Sequence, residues 1–302
     1  MSASIASEER RAAVGEVDLA YQTLGDPGDR PLLLIMGLAA QMIWWPDGFC
    51  ELLANRGFWL IRFDNRDSGH SSVVDALGTP SLPDALAGGD GAAPYALSEL
   101  AGDAAGLLDA LGIGAAHVVG ASMGGMIAQA LAIEHPDRVL SLASIMSTTG
   151  ERAVGRPTAA AQQVLMRAPP LDDREAYVDS VAAARAVLGS PGLERDEAWT
   201  REIAGRSFDR GVHPTGTLRQ LVGIIRSPDR TEALGRLRLP TTVIHGTDDP
   251  LISVSGGEAT AAAIPGAELV LIDGMGHDLP PASWEPIVDA VAANAERAAT
   301  TA

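Results

Sequence analysis

The sequence predicts an α/β fold, in which helices cover both faces of a mostly parallel central sheet. From residue 31 onward, short runs of apolar residues alternate with segments of helical spacing, which is the pattern of consecutive strand–helix units. The apolar runs are continuous, as expected of strands buried on both faces. Between residues 150 and 236 only helical patterns occur. We therefore expect a core domain of residues 1–149 and 237–302 and a helical cap or lid insertion of residues 150–236.

Composition and charge limit the class of protein. The chain has 302 residues, 46% of them hydrophobic, which is enough for one large domain with an insertion. The net charge is −17, all 22 basic residues are arginine, and they form no basic run. Because nucleic acids bind proteins chiefly through neutralisation of their phosphates, we expect no nucleic-acid partner.

The cysteine content and the apolar runs bear on cellular location. Cys50 is the only cysteine, which excludes an intrachain disulfide and a cysteine-rich metal site, and we expect it to be buried. Residues 1–11 are polar, and no stretch approaches the roughly 20 apolar residues of a membrane span. We expect a cytoplasmic protein without a transmembrane segment. Peripheral contact with a membrane and the oligomeric state stay open.

The elements before the insertion follow the strand–helix alternation. Strands are predicted at residues 17–23, 31–36, 58–63 and 139–145, with another ending at Gly120. Helices are predicted to end near Asn55, to begin with Ser98 as N-cap, and to cover residues 126–134. Residues 79–93 are rich in Gly, Pro and Ala, and we expect a mobile loop there.

The insertion and the segment after it complete the predicted order of elements. Insertion helices are predicted at residues 159–167, 174–188, 194–208 and 217–225. After the insertion, strands are predicted at 241–246 and 268–272, with helices at 257–264 and from Trp284 onward. The insertion either covers the strand ends, with Met166, Pro169 and Pro170 lining an entrance, or only stabilises the fold.

Polar residues outside the strands are given structural roles. Asp64 and Arg66 follow directly after a predicted strand, and we expect them to pair and brace the rim of a site. Four other residues are expected to be solvated, locally paired or structural: His70, Asp103, Asp109 and His213.

A serine stands at a predicted sharp turn between a strand and a helix. Gly120 and Gly124 flank Ser122 at a spacing of two residues. Because they lack a Cβ, strand and helix can approach closely and Ser122 can adopt strained backbone geometry. The helix N-terminus favours developing negative charge. This is the nucleophile-elbow pattern G-x-S-x-G in its required context, although a glycine-rich turn in a nucleotide-binding fold would look similar.

An acid and a histidine follow two later strands. Asp248 and Asp249 come just after one strand, and either is well placed to orient a histidine. His277 lies in a glycine-bracketed loop after the next strand, which gives it the freedom that a general base needs. Ser122, an aspartate and His277 thus follow strands at the same edge of the sheet, in the order Ser…Asp…His.

This constellation predicts nucleophilic catalysis. His277 would take the Ser122 proton during attack and return it to the leaving alkoxide, while the aspartate holds the imidazole. The backbone N–H groups of Leu38 and Met123 would form the oxyanion hole, since Leu38 follows a strand that ends in a glycine turn. Such a cycle needs no cofactor and no metal.

The sequence resembles the α/β-hydrolase family over nearly its whole length. The resemblance is carried by five motifs in family order: residues 35–38, 63–69, 120–124, 245–250 and 274–277. The family places its acid three residues after the strand-end glycine, which favours Asp249 over Asp248. Within the family, Met36-Gly37 and residues 64–67 and 276–280 are similar to aclacinomycin methylesterase-like esterases and to a group of actinobacterial esterases, lipases and thioesterases.

We therefore expect a carboxylic ester hydrolase that acts through an acyl-enzyme on an apolar or aromatic small-molecule ester. Met36, Leu38, Met123 and Met146 indicate an aliphatic pocket, unless they belong to the core. A lipase or phospholipase, an acyl thioesterase and a methylesterase of polyketide tailoring stay open. A haloperoxidase-like enzyme, a C–C hydrolase and a non-catalytic ligand-binding protein are less favoured. A purely structural module has no positive feature in its support.

Overall fold

The computed structural model describes residues 7–89 and 91–301. In these residues eight strands form one sheet. The strands are β1 (Arg10–Val14), β2 (Val17–Leu24), β3 (Arg30–Ile35), β4 (Phe58–Phe63), β5 (Ala116–Ala121), β6 (Val139–Ile145), β7 (Thr241–Gly246) and β8 (Glu268–Ile272). The helices are α1 (Asp47–Ala54), α2 (Leu82–Leu86), α3 (Leu97–Ala110), α4 (Met123–Glu134), α5 (Ala159–Leu165), α6 (Arg174–Leu188), α7 (Glu197–Arg210), α8 (Pro214–Arg226), α9 (Thr231–Leu234), α10 (Ser255–Ala263) and α11 (Pro281–Thr301).

The sheet has the order β1-β2-β4-β3-β5-β6-β7-β8 and is mostly parallel, which confirms the predicted fold class. Only the pairs β1–β2 and β2–β4 are antiparallel within the described sheet. Strand β1 was missed by the sequence analysis, because only Ala12 and Val14 of its five residues are buried. It turns into β2 at Gly15, whose φ of 56° lies in the left-handed region that glycine tolerates.

Strand β3 shows how helices cover both faces of the sheet. Its side chains alternate between two apolar clusters, as the two-residue period of a strand requires. Leu33 and Ile35 pack on the face covered by α3 and α4. Leu32 and Leu34 pack on the opposite face, which is covered by α1 and α11. All four are fully buried, and each contributes roughly 1.5–3 kcal/mol to folding. Cys50 of α1 is also buried, as expected.

Helices α5 to α9 lie between β6 and β7 in the chain, where the helical insertion was predicted. The described helix α6 has the bounds predicted for it, and the four-residue helix α9 was not predicted. The division of the chain into a core domain and a cap of residues 150–236 stays a prediction. Ion pairs join these helices to the segment after β4, among them the buried pair Arg219–Asp67 and the pair of Arg210 with Asp64.

The predicted pair between Asp64 and Arg66 is wrong. The carboxylate of Asp64 accepts from the Met42 N–H, at 2.7 Å, and from the Arg210 guanidinium. Arg66 instead donates two 2.6 Å hydrogen bonds to Asp103 of α3. Asp103 is therefore a buried partner rather than a solvated residue. Asp64 and Arg66 both pair with residues on helices that are distant in sequence. Their closeness in the chain therefore did not predict their partners.

Asp109, His70 and His213 were predicted to be solvated, locally paired or structural, and the structure agrees. Asp109 is exposed and lies 2.8 Å from Arg138. His70 is 40% exposed and pairs with Glu9. His213 has a structural contact, with Nε2 at 2.9 Å from the Gly69 carbonyl. The segment predicted as a loop at residues 79–93 contains α2.

The predicted N-cap of α3 is corrected. Ser98 lies inside the first turn, and Ala96 precedes the helix, where Glu99 accepts from the Ala96 N–H at 2.8 Å. In the described ranges, the helices are too short or too polar to cross a bilayer.

Candidate active site

Ser122 occupies a strained turn between β5 and α4. Its backbone has φ 58° and ψ −121°, a conformation that L-residues rarely adopt. The turn is held from two sides, because the Ser122 N–H donates to the Ile145 carbonyl and the Ser147 hydroxyl donates to the Ser122 carbonyl, each at 2.9 Å. Strain that the surroundings maintain in this way is typical of functional sites.

Gly120 and Gly124 make this turn possible, because without a Cβ they let α4 and the neighbouring backbone come close together. A Cβ on Gly120 would lie 2.1 Å from the Gly124 carbonyl oxygen. A Cβ on Gly124 would lie 2.0 Å from the carbonyl oxygen of Ile35. Any side chain at either position would therefore push α4 away from the sheet. The geometry gives the physical reason for the glycine spacing around Ser122.

The structure brings Ser122, His277 and Asp249 into one hydrogen-bonded array. The Ser122 hydroxyl lies 2.9 Å from Nε2 of His277. Nδ1 of His277 lies 2.7 Å from the Oδ2 atom of Asp249. Because a carboxylate only accepts, Nδ1 carries the proton and Nε2 is free to accept from Ser122. Asp248 is not part of the array, since it is exposed, whereas Asp249 is buried against His277.

The surroundings of Asp249 keep its carboxylate ionised. Burial alone raises the pKa of this carboxyl, but the charge and hydrogen bond of His277 and the Ile252 N–H together hold the pKa below its usual value. The Leu251 and Ile252 N–H groups both donate to Oδ1 at 2.9 Å. Oδ1 is thus fixed by the backbone, and Oδ2 is left for the histidine.

A second histidine, which the sequence analysis missed, lies under Asp249. His245 is fully buried at the end of β7, with Nε2 at 2.8 Å from the Ile252 carbonyl and 3.6 Å from Oδ2 of Asp249. Burial lowers the pKa of His245, so the ring is neutral at neutral pH. A neutral ring puts no full positive charge beside the carboxylate.

The His277 loop is held by the end of α6 in the insertion. The His277 N–H donates to the Leu188 carbonyl at 2.7 Å. The Ser190 hydroxyl donates to Asp278 at 2.5 Å and accepts from the Gly276 N–H at 2.9 Å. The segment after β6 therefore fixes the position of the histidine.

The predicted oxyanion donors lie on either side of Ser122. Met123 is the first residue of α4, so its N–H has no acceptor one turn earlier in the helix. Leu38 belongs to the turn after β3, and a Cβ on the neighbouring Gly37 would lie 3.1 Å from the Ser122 Cβ. Asn65 donates to the Met36 carbonyl at 3.0 Å and anchors this turn at the strand end. Whether these N–H groups bind an oxyanion stays a prediction.

A cavity of about 480 Å³ lies between the strand ends and the insertion. Its apolar wall includes Met36, Trp44, Met146, Trp199, Leu279 and Trp284. Of the four predicted pocket residues, Met36 and Met146 line the cavity, whereas Met123 is in the core and Leu38 packs against that core.

Helices between β6 and β7 contribute part of this wall. That part comes from α6 and the start of α7 rather than from Met166, Pro169 or Pro170. Met166 follows α5 and is 51% exposed. Among the described residues, no cluster of three or more His, Cys, Asp or Glu side chains could hold a metal ion.

Comparison with known proteins defines the class to which this fold and site belong. The family model for the alpha/beta hydrolase fold matches residues 30–280. The chain belongs to the α/β-hydrolase family, as its motifs had indicated.

Particular relatives narrow the class further. The chain is 35% identical to rhodomycin D methylesterase DauP of Streptomyces sp. (strain C5), over 94% of this chain and 97% of that protein. It is 33% identical to rhodomycin D methylesterase DnrP of Streptomyces peucetius, with the same two shares covered. A thermophilic esterase from Thermogutta terrifontis has the same fold, with a TM-score of 0.71 at 23% identity over 97% of this chain and 99% of that one. The predicted resemblance and enzyme class, an ester hydrolase, are confirmed.

Proposed function

We propose that this protein is a carboxylic ester hydrolase in which Ser122, His277 and Asp249 act as a catalytic triad. The observation that supports it most directly is the unbroken chain of hydrogen bonds from the Ser122 hydroxyl through His277 to Asp249. A serine hydroxyl is a weak nucleophile unless a base removes its proton during attack. In this geometry Nε2 of His277 is that base.

The reaction proceeds in two halves. Ser122 Oγ attacks the ester carbonyl while its proton moves to His277 Nε2, and the resulting imidazolium is stabilised by Asp249. Collapse of the tetrahedral intermediate transfers this proton to the departing alkoxide and leaves an acyl-enzyme. Water then attacks the acyl carbon, with His277 as base, and releases the acid and the free serine. In each half, the proton taken from Ser122 or from water passes through His277 to the leaving group, so the cycle needs no cofactor.

The negative oxygen of each tetrahedral intermediate is assigned to the N–H groups of Leu38 and Met123. Met123 N–H is at the N-terminus of α4, where unpaired amide donors and the helix dipole favour negative charge. The positive φ of Ser122 turns the chain directly into this helix. Losing one such donor typically costs 10²–10³ in kcat.

The substrate class is a small-molecule ester with an apolar or aromatic portion. Three tryptophans and two methionines in the cavity wall provide broad apolar surface. A methyl ester of an aromatic polyketide is the alternative favoured by the similarity to two rhodomycin D methylesterases. Lipid esters and acyl thioesters would be cleaved by the same chemistry. Rates on a panel of substrates distinguish these activities.

The test is hydrolysis of p-nitrophenyl esters from acetyl to palmitoyl by the wild type and by Ser122→Ala. We expect the variant to lose on the order of 10⁶ in rate. A fluorophosphonate probe should label the wild type at Ser122 and leave the variant unlabelled. Labelling without turnover of these esters would point to a narrower substrate, for which methyl esters and thioesters are tested next. If neither turnover nor labelling occurred, the proposal would be wrong and a ligand-binding role would replace it.

A further inference from the structure

Arg185 places a positive charge in the wall of the cavity next to His277. It lies on α6 and is one of the residues that line the cavity. Its Nη1 donates to the His277 carbonyl at 3.2 Å. Its guanidinium carbon lies 4.6 Å from the centre of the Trp44 ring, so the plane of the cation is supported by an aromatic face. The side chain is therefore held in place beside the reacting residues.

This guanidinium has no carboxylate partner within 4.0 Å among the described residues. Three other arginines that are buried or partly buried, Arg66, Arg210 and Arg219, each have one. The bond to the His277 carbonyl uses one of five N–H donors, which leaves Nε and Nη2 without a protein acceptor in the described structure. These two nitrogens form the edge that binds carboxylates side-on.

Burial lowers the pKa of Arg185, and the charge of Asp278 raises it only in part. Arginine nevertheless stays protonated in proteins, so the charge persists. The residue is only partly buried, so its guanidinium can be reached from the cavity. Charged groups with shifted pKa values in a cavity are concentrated at binding and catalytic sites.

Three of the other charged groups of the cavity wall, Asp278, Arg195 and Asp196, make hydrogen bonds within the protein. Asp278 accepts from the N–H and hydroxyl of Ser190 through Oδ1. Arg195 donates to the carbonyls of Arg185 and Ala186 at the end of α6. Asp196 accepts from the Trp199 N–H and caps α7. Glu197, in the first turn of α7, adds negative charge at the wall. Arg185 and Arg195 both keep Nε and Nη2 without a protein acceptor in the described structure, but Arg195 is exposed, whereas Arg185 is partly buried and bonded to the His277 carbonyl. Of the two, Arg185 is the one placed beside the reacting residues.

We infer that Arg185 binds a carboxylate of the substrate, so that the enzyme prefers esters whose acyl part carries a second, ionised carboxyl group. The inference rests on the proposed function, because it assigns a charge preference to the same Ser122 site. The apolar walls would hold the part of the substrate between its ester and its carboxylate. The Arg185 guanidinium would hold the carboxylate. Arg185 is thus a specificity-determining residue rather than part of the proton-transfer chain.

The experiment compares substrates that differ only in this charge. Mono-p-nitrophenyl esters of adipic, suberic and sebacic acid are each matched with a neutral ester that ends in an isopropyl group of the same shape. kcat and KM are measured for the wild type, Arg185→Met and Arg185→Lys. Arg201→Met is the charge-matched control, because Arg201 pairs with Asp179 on the exposed side of the same helices.

We expect the wild type to prefer the anionic ester at one chain length or more. Arg185→Met should lower kcat/KM for that ester on the order of 10- to 100-fold, mainly through KM. The loss on the neutral ester should be clearly smaller, because there only the Nη1 bond to the His277 carbonyl is removed. Arg185→Lys should keep part of the preference, and Arg201→Met should keep all of it.

Two results would overturn the inference. One is a wild type without charge preference at any chain length. The other is an equal loss on charged and neutral esters in Arg185→Met, which would make Arg185 a brace for the His277 loop. In both cases the neutral ester is still hydrolysed in a Ser122-dependent way, so the proposed function would stand. Loss of that dependence is the separate result that contradicts the function itself.

Discussion

The side-chain oxygen of Gln220 accepts a hydrogen bond from the Ala39 N–H at 3.0 Å. Gln220 is fully buried on α8, and Ala39 follows the proposed oxyanion donor Leu38. Ala39 has φ 58°, which is strained for a residue other than glycine. The amide nitrogen of Gln220 is fixed in turn by the Arg66 carbonyl and the Ser68 hydroxyl. A residue of the insertion therefore holds the backbone turn on which Leu38 lies.

Gln220→Met should impair the chemical step more than substrate binding. Without its acceptor, the Ala39 turn can relax and carry the Leu38 N–H away from the position of the oxyanion. We expect kcat to fall roughly 10- to 100-fold with KM little changed. Steady-state kinetics on a p-nitrophenyl ester measure both values.

Ser68→Ala is the matched control for Gln220→Met, because it removes a neighbour of Gln220 and leaves the Ala39 bond in place. It should keep most of the wild-type kcat. Equal losses of kcat in the two variants would argue that Gln220 only stabilises the fold, and urea unfolding of both variants would show that effect directly.

Local patterns in the sequence predicted seven of the eight described strands, and they placed Ser122 and His277 just past strand ends. The choice of Asp249 over Asp248 rested on the resemblance to the α/β-hydrolase family. A strand, a glycine and a polar residue past the strand end are read from fewer than ten consecutive residues. Their meeting at one sheet edge follows from parallel pairing alone.

Gln220 and Arg185 could not be found in the same way. Gln220 is 181 residues from Ala39 in the chain, and Arg185 is 92 residues from His277. Which face of an inserted helix docks on the sheet is decided by tertiary packing, and helical periodicity does not reveal it. The same reason explains the wrong pairing of Asp64, whose partner Arg210 lies on α7.

His117 should make the folded state sensitive to mild acid. It is 5% exposed in β5, and burial, with a smaller effect of Arg30, lowers its pKa from 6.5 to about 4. The unfolded chain binds this proton near pH 6.5, whereas the folded chain does not. The stabilising contribution is therefore complete above pH 6.5 and is lost as the pH falls toward 4, by about 3 kcal/mol at most.

Urea unfolding of the wild type and His117→Asn across this pH range isolates the effect. Nδ1 of His117 lies 2.8 Å from the Ser141 hydroxyl, and the asparagine amide can take over this contact. The variant should be less stable at neutral pH and should lose less stability on acidification. Parallel pH dependence in the two proteins would show that His117 is not the titrating group.

Cys50 should be unreactive while the protein is folded. Burial raises the pKa of its thiol to about 12, and only the thiolate is a good nucleophile. We expect Ellman's reagent to give no rapid reaction with the native protein and one thiol per chain in urea. Rapid reaction without denaturant would mean that α1 opens locally, and hydrogen exchange in α1 would distinguish that opening from global unfolding.

Removing one partner of the buried pair Arg219–Asp67 should lower the stability of the fold. Both side chains are fully buried, and two hydrogen bonds of 2.7 and 2.9 Å join them. Arg219→Met would leave the Asp67 charge without its partner in a place from which water is excluded. We expect the free energy of unfolding to fall by roughly 3–5 kcal/mol, measured by urea denaturation.

The double variant Arg219→Met with Asp67→Asn separates the cost of an unpaired charge from the cost of lost packing. Asparagine tolerates the positive φ of 67° at this position and keeps an acceptor for the Val74 N–H. If the unpaired charge is the cause, the double variant should be more stable than Arg219→Met alone. Arg174→Met, which breaks an exposed pair with Asp209, should unfold close to the wild type. A loss in Arg219→Met no larger than in Arg174→Met would mean that the apolar contacts of α8, rather than this ion pair, hold the insertion on the sheet.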